Sequence, residues 1–341
     1  MVIAKRVLIT GGNTGIGYEA ARQLLKAGHH VIIACRDPKK AQNAIDALSP
    51  IAKASGTSVE SALLDLASLA SVRKGAAQIL ESHPRLDVLL CNAGLLSRSS
   101  SADPLERSED GQELTLQVNH LGHFLLVHLL LPALLAAPSA RVVMVSSELH
   151  RQASKAVTIG GGGGGSGLLP LASAEWLTRL SAAGGGATSP PLPRPTGFQL
   201  YCISKLYNLW FTYCLAAMLP STVKVNAVTP GWVPGTALGR GMPWLLGLVY
   251  QFLFPLLPGT TSVTEGGRRV VAVCVGEQEG AVTGAYFSRG VRTESSPESH
   301  DKEAAGEMWR LSEVATGIKH DYVQQLLTST PTPTSAGTDA L

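Results

Sequence analysis

Thr10-Gly11-Gly12-Asn13-Thr14-Gly15-Ile16-Gly17 is the stretch on which the fold turns. It closes the apolar run Arg6–Thr10 and opens a helix-length segment over Gly15–Ala27. Glycines here let the backbone approach a pyrophosphate, whose charge is met by N–H groups at the start of the helix. An ordinary glycine-rich strand-to-helix turn would explain the glycines alone. Its place after a strand, before a helix and at the chain start favours a nucleotide site. Gly11, Asn13, Thr14, Gly15, Ile16 and Gly17 are therefore the candidate phosphate-binding residues.

Outward from this loop, short apolar runs alternate with amphipathic segments, the pattern of a parallel α/β sheet. Strands are expected at Arg6–Thr10, His30–Cys35, Ser58–Leu64, Asp87–Cys91, Arg141–Ser146, Val223–Val228 and Gly284–Ser288. Helices are expected at Gly15–Ala27, Lys39–Ala54, Leu69–Ser82, Gly111–Leu135, Gln199–Leu219, Thr264–Val275 and Lys302–Glu313. Val, Ile and Leu crowd the strands without strict alternation, as in a sheet covered on both faces. The expected fold is a doubly wound α/β domain of Rossmann type, a mostly seven-stranded parallel sheet over residues 1–316. Residues 160–197 break the rhythm with Gly160–Gly165, Gly184–Gly186 and Pro190, Pro191, Pro193 and Pro195, and read as a flexible insertion. The tail, 317–341, reads as disordered.

The end of the second strand chooses the dinucleotide. An acidic residue there holds a ribose 2′-hydroxyl, a basic one meets a 2′-phosphate. The chain has Cys35-Arg36-Asp37, about 20 residues beyond the glycine loop. Arg36 forms bidentate pairs with phosphate, which favours NADP(H). Asp37 either caps the next helix or opposes that phosphate.

Composition narrows the class. Of 341 residues, 45% are hydrophobic and 16% charged, enough apolar surface to exclude wholesale disorder. A net charge of +3 makes no case for nucleic acid. Low charge points to an apolar ligand or a nearby membrane surface. Five scattered cysteines without CxxC spacing fit a reducing compartment and no zinc site. His120, His123 and His128 lack a ligand face and acidic company, so no metal is expected. The chain starts directly on its first strand, and Met242–Pro258 is short and proline-broken. Neither a targeting peptide nor a membrane span is read, and the expected location is intracellular, cytoplasmic before organellar.

Tyr201-Cys202-Ile203-Ser204-Lys205 places Tyr201 and Lys205 four apart on one helix face. A neighbouring ammonium favours phenolate, making the tyrosine a usable acid/base group. An upstream strand ends in Val145-Ser146-Ser147, and one of these serines is placed to donate to a carbonyl oxygen.

In this combination the chain resembles the short-chain dehydrogenase/reductase superfamily over about residues 5–316. Thr10–Gly17, Asp65, Asn92-Ala93-Gly94, Asn119, Ser147, Tyr201, Lys205 and Pro230-Gly231 carry the resemblance. Ala34–Asp37, Leu64–Ser68, Asn119–Phe124, Tyr201–Leu206 and Gly284–Phe287 resemble its retinol dehydrogenase-like branch. The resemblance implies Tyr201 as general acid/base, with Lys205 lowering its pKa and binding the nicotinamide ribose. It implies Ser147, rather than Ser146, as the group that polarises the substrate oxygen. Asn119 would hold a helix kink and a proton-feeding water. Asn92, Ala93 and Gly94 would line the adenine ribose, and Asp65 with Leu66 would contact adenine. Pro230, Gly231 and Val233 would close over the nicotinamide, with Thr236 reaching its amide or phosphate.

Two departures stand out. Ser147 and Tyr201 lie 54 positions apart, because the insertion falls between them; it either loops out or folds across the cleft. Membrane-bound retinol dehydrogenases commonly have an apolar anchor before the first strand, and none is read here. Trp244–Leu257 is expected to be an apolar substrate lid, with peripheral membrane contact the other use. The expected function is NADP(H)-dependent interconversion of an apolar alcohol and its aldehyde or ketone. A carbon–carbon double-bond reductase like light-dependent protochlorophyllide reductase, and a non-catalytic NADPH sensor or scaffold, are the alternatives. Oligomeric state is left open.

Overall fold

Residues 3–97, 100, 106–153, 195–234 and 260–329 are described by a computed structural model. In β1 (Arg6–Thr10) Leu8 points into one apolar core while Val7 and Ile9 point into another, because successive side chains alternate across a strand. The same division holds in β2 (His30–Cys35), β4 (Val88–Cys91) and β5 (Ala140–Val145). With both faces covered, apolar residues at every position are what these strands need. The remaining strands are β3 (Val59–Leu63), β6 (Val223–Thr229), β7 (Tyr286–Ser288) and β8 (Val291–Arg292).

Strand order is β3-β2-β1-β4-β5-β6-β7-β8. Every pairing is parallel except β7 with β8. The sheet therefore has eight strands rather than seven. The added strand turns back at Arg289-Gly290, both at positive φ (53° and 82°), the geometry of a two-residue hairpin turn. Two residues are too few for periodicity to reveal.

Helices α1 (Gly15–Lys26), α2 (Pro38–Ala54) and α6 (Val263–Val275) pack on one face of the sheet. On the other lie α3 (Leu69–Ser82), α4 (Leu114–Leu135), α5 (Gly197–Met218) and α7 (Lys302–Thr316). α4 starts at Leu114, not Gly111, because the Glu113 carboxylate accepts the N–H groups of Thr115 and Leu116 and sets the start. α5 starts at Gly197, where Thr196 and Gln199 form a reciprocal capping box. α4 is long and apolar enough to cross a membrane, yet most of it is buried between α3, α5 and α7.

Part of the tail is ordered. α8 (Tyr322–Ser329) packs through Val323 and Leu327 against the core that holds Leu8, so the expectation of disorder from residue 317 is corrected there. Its eight residues carry too little periodicity to outweigh the Thr/Pro-rich sequence that follows.

Chain order turns back between β1 and β4: β2 and β3 extend one way and β4 to β7 the other. A crevice opens at the carboxyl ends of strands at such a switch point. The glycine loop leaves β1 there, and Asn92-Ala93-Gly94 leaves β4.

Candidate active site

A cavity of about 360 Å³ fills that crevice. Its wall brings together the glycine loop, Arg36, Asp65, Leu66 and Asn92 to Gly94. Lys40 also lines it, a second cation beside Arg36 in Arg36-Asp37-Pro38-Lys39-Lys40 that the sequence reading passed over.

Thr10 is the hub of the loop. Its Oγ1 accepts the N–H groups of Asn92 (2.9 Å) and Ala93 (3.0 Å), and lies 2.8 Å from Nε2 of His123. With its acceptor sites taken, the hydroxyl proton goes to His123, whose Nδ1–H then donates to the Asn119 carbonyl at 3.2 Å. Burial pulls the His123 pKa to about 4, so the ring is neutral, as this bridge requires. His123 is a strut between the loop and Asn119, and the sequence carries no signal of it. The Asn92 amide donates to the Thr10 carbonyl at 2.9 Å, so its side chain braces the loop. Gly17 sits so tightly under this brace that a Cβ would lie 2.5 Å from both Asn92 Nδ2 and Gly11 O.

At the start of α1, the Thr14 side chain caps nothing and no acidic residue occupies the first turn. Such a terminus suits a bound anion, because its N–H groups and the helix dipole favour negative charge. The glycine loop and this terminus fit a pyrophosphate. Next to it, Asp37 Oδ1 accepts the N–H groups of Lys39 and Lys40, which identifies Asp37 as the α2 cap. Those bonds hold its carboxyl below the usual range. Arg36 is exposed and lines the cavity. Asp65 turns one oxygen to the Ala67 N–H at 2.9 Å and lines the wall beside buried Leu66.

At Gly94 the cavity meets the second half of the site. A Cβ there would stand 3.3 Å from Asn119 Oδ1 and 3.6 Å from Lys205 Nζ. Asn119 lies in a π-helical turn of α4, Gln117–Leu121, a common mark of functional positions. Its amide grips the backbone of Leu95 on both sides, accepting the N–H at 2.8 Å and donating to the carbonyl at 2.9 Å, and also donates to Ser204 Oγ. Lys205 is 3% exposed, and desolvation lowers its pKa from 10.5 to about 8. Its ammonium donates to the Val145 carbonyl at 3.0 Å and stands 5.3 Å from the centre of the Tyr201 ring. Tyr201 itself is buried, 6% exposed.

The two serines part company. Ser146 is buried and donates to the Lys205 carbonyl at 2.8 Å, tying β5 to α5. Ser147 is half-buried and caps the short 3-10 helix Glu148–Gln152, accepting the Leu149 N–H, which leaves its own proton to donate. Beyond β6, Arg269 of α6 donates to the Pro230 carbonyl and to Thr261 Oγ1, both at 3.2 Å, and fixes the Pro230-Gly231 turn. Val233 is buried beside it. Arg269 has no sequence signature, since its partner lies 39 positions away. Thr236, Trp244–Leu257 and most of the 160–197 insertion lie outside the described residues.

His120 and His128 are buried in the α4–α5 core, and Cys91 and Cys202 are buried with their thiols pushed up by desolvation. Among the described residues no three His, Cys, Asp or Glu side chains gather as a metal would require.

The sequence profile described as short chain dehydrogenase matches residues 5–159. Retinol dehydrogenase 14 of Mus musculus is 34% identical over 328 residues, spanning 92% of this chain and 86% of that protein. A WW domain-containing oxidoreductase of Danio rerio is 36% identical over 310 residues, spanning 91% of this chain and 68% of that one. Among solved structures, L-sorbose reductase of Gluconobacter frateurii, complexed with NADPH and L-sorbose, superposes with a TM-score of 0.60 at 18% identity. That match covers 84% of this chain and 95% of the reductase, a likeness of fold.

Proposed function

Since the chain belongs to the short-chain dehydrogenase/reductase family, in its retinol dehydrogenase-like branch, we propose that it is an NADP(H)-dependent oxidoreductase. It interconverts an apolar alcohol and the corresponding aldehyde or ketone. The observation that carries this is the buried Lys205 ammonium beside Tyr201, at the end of a cavity built for a dinucleotide. Gly11 to Gly17 and the α1 terminus would hold the pyrophosphate, Arg36 and Lys40 a 2′-phosphate, and Asp65, Leu66 and Asn92 to Gly94 the adenosine half. Pro230, Gly231 and Val233 would border the nicotinamide, with Thr236 reaching it from the segment that follows. The dinucleotide supplies or accepts the hydride.

The chain's own residues handle the proton and the substrate oxygen. The Ser147 hydroxyl donates to that oxygen and stabilises the charge that builds there. Tyr201 gives the oxygen its proton in reduction and removes it in oxidation. Lys205 favours the phenolate through its charge, and a pKa near 8 keeps it charged at neutral pH. Asn119 holds the π turn and the Leu95 backbone that shape this end of the cavity. The apolar substrate follows from the retinol dehydrogenase relatives and from the low charge of the chain.

Tyr201→Phe tests the assignment. It should lower turnover of apolar aldehydes by about three orders of magnitude or more while NADPH affinity stays unchanged. Retained turnover would end the proposal.

A further inference from the structure

Ser147 and Tyr201 must act on one oxygen atom, yet they lie 54 positions apart on separate elements. Ser146 ties the strand side of this pair to α5 through the Lys205 carbonyl. The turn after Ser147 packs on α5 and also meets a second segment, the stretch from Tyr286 to His300.

Three of the four residues after Ser147 hook that stretch. Glu148 accepts the Tyr286 hydroxyl at 2.7 Å. Arg151 donates to the Glu294 carbonyl at 2.6 Å. Between them His150, 1% exposed, lies 2.6 Å from the Ser147 carbonyl through Nδ1, and its Nε2 takes the Ser296 N–H at 3.0 Å. A backbone N–H only donates, so Nε2 is the bare nitrogen and Nδ1 carries the proton given to Ser147. The ring is neutral with both nitrogens committed, and the Tyr286 ring packs edge-on against it at 5.2 Å.

The far end of the same stretch is fastened to the helix that bears Tyr201 and Lys205. Trp210 of α5 donates its indole N–H to the Glu298 carbonyl at 3.0 Å. Tyr213 shares a 2.6 Å hydrogen bond with Ser295 and stacks on His300 at 5.3 Å. A continuous series of contacts thus runs from the Ser147 carbonyl through His150 and residues 295–300 to α5.

We infer that His150 is a positioning residue for the reaction. Together with residues 286–300 it sets Ser147 against Tyr201. The inference rests on Ser147 and Tyr201 being the reacting pair. Misplacing such a group by about 1 Å costs up to 100-fold in rate, and the loss appears in kcat when binding is untouched.

The test compares kcat per NADPH-binding site, KM for an apolar aldehyde and NADPH affinity in the full chain. His150→Phe fills the space but breaks both bonds, and should lower kcat about tenfold or more with KM and NADPH affinity within about twofold. His150→Asn, whose amide reaches where Nδ1 was but not to Ser296, should recover part of that loss and stay below the wild-type rate. Ser296→Pro carries the test should His150→Phe not fold. Its φ of −66° already suits proline, and the change deletes the N–H that His150 accepts together with a hydroxyl that makes no hydrogen bond. It should lower kcat in the same selective way. A folded His150→Phe or Ser296→Pro with wild-type kcat overturns the inference, as does a loss shared equally by kcat, KM and cofactor affinity. Ser147→Ala and Tyr201→Phe are measured alongside. Turnover surviving in those two removes the catalytic reading and the inference with it, whereas turnover lost there but intact in the His150 and Ser296 variants removes the inference alone.

Discussion

At the scale of the residue, Lys205 shows function set against stability. Its pKa of about 8, against 10.5 in water, means that folding strips water from a charge and gives it one carbonyl in return. A shift of that size corresponds to roughly 3 kcal/mol. Below pH 8 the lysine is charged in both folded and unfolded chains, and the penalty is fully present. Between about pH 8 and 10.5 the folded protein sheds the proton while the unfolded chain keeps it, so stability rises with pH. Lys205→Met should therefore abolish turnover yet raise the denaturant midpoint at pH 7. The gain should be about 2 kcal/mol once the lost bond to Val145 is counted, and should shrink towards pH 10. A lower midpoint at pH 7 would contradict this. Tyr201 and Lys205 were legible because four-residue spacing on a helix is a local property. His123, His150 and Arg269 were not, because each gains its role from a partner brought near only by folding, such as Thr10 at a separation of 113.

At the scale of the element, the first turn of α2 decides how the cavity reads a ribose. Asp37 turns Oδ1 to the helix cap and Oδ2 to Lys40 at 3.4 Å, which engages this acidic group away from a bound phosphate. Arg36 and Lys40 remain as exposed cations lining the same wall. Arg36→Leu combined with Lys40→Ala should raise KM for NADPH by about tenfold or more, with KM for NADH unchanged. Equal effects on the two cofactors, read from initial rates, would remove the cations from the choice. Most elements were visible in the sequence, and the differences were at ends set by side chains outside the apolar period: the Glu113 cap of α4 and the Thr196/Gln199 box of α5. Strand β8 and helix α8 escaped notice because short elements are stabilised by what they pack on.

At the scale of the molecule, the helices that carry Asn119, Tyr201 and Lys205 are covered by α7. Trp309 of α7 stacks on Phe211 of α5 at 5.6 Å and meets Phe124 of α4 edge-on at 5.0 Å, while its indole N–H donates to Glu313. Trp309→Ala should cost about 3–5 kcal/mol, read as a lower denaturant midpoint, since the surrounding rings cannot close such a space. NADPH affinity of the protein that remains folded should persist, because the ring lies in the core and is not part of the dinucleotide cavity's lining. A change below about 1 kcal/mol would show that α7 is not part of the core.

The doubly wound sheet, the glycine loop, the Tyr201/Lys205 pair and the basic character of the ribose corner are legible in the order of residues alone. Each of these is written in contiguous residues, through the period of apolar side chains or a motif within one turn. Folding settled that Asp37 is a cap, that Ser146 bonds to the Lys205 carbonyl while Ser147 caps the turn after it, and that His123 and His150 act as struts. Those outcomes depend on which nitrogen, oxygen or carbonyl a folded neighbour presents, and hydrogen bonds act over about 3 Å in space whatever the separation along the chain.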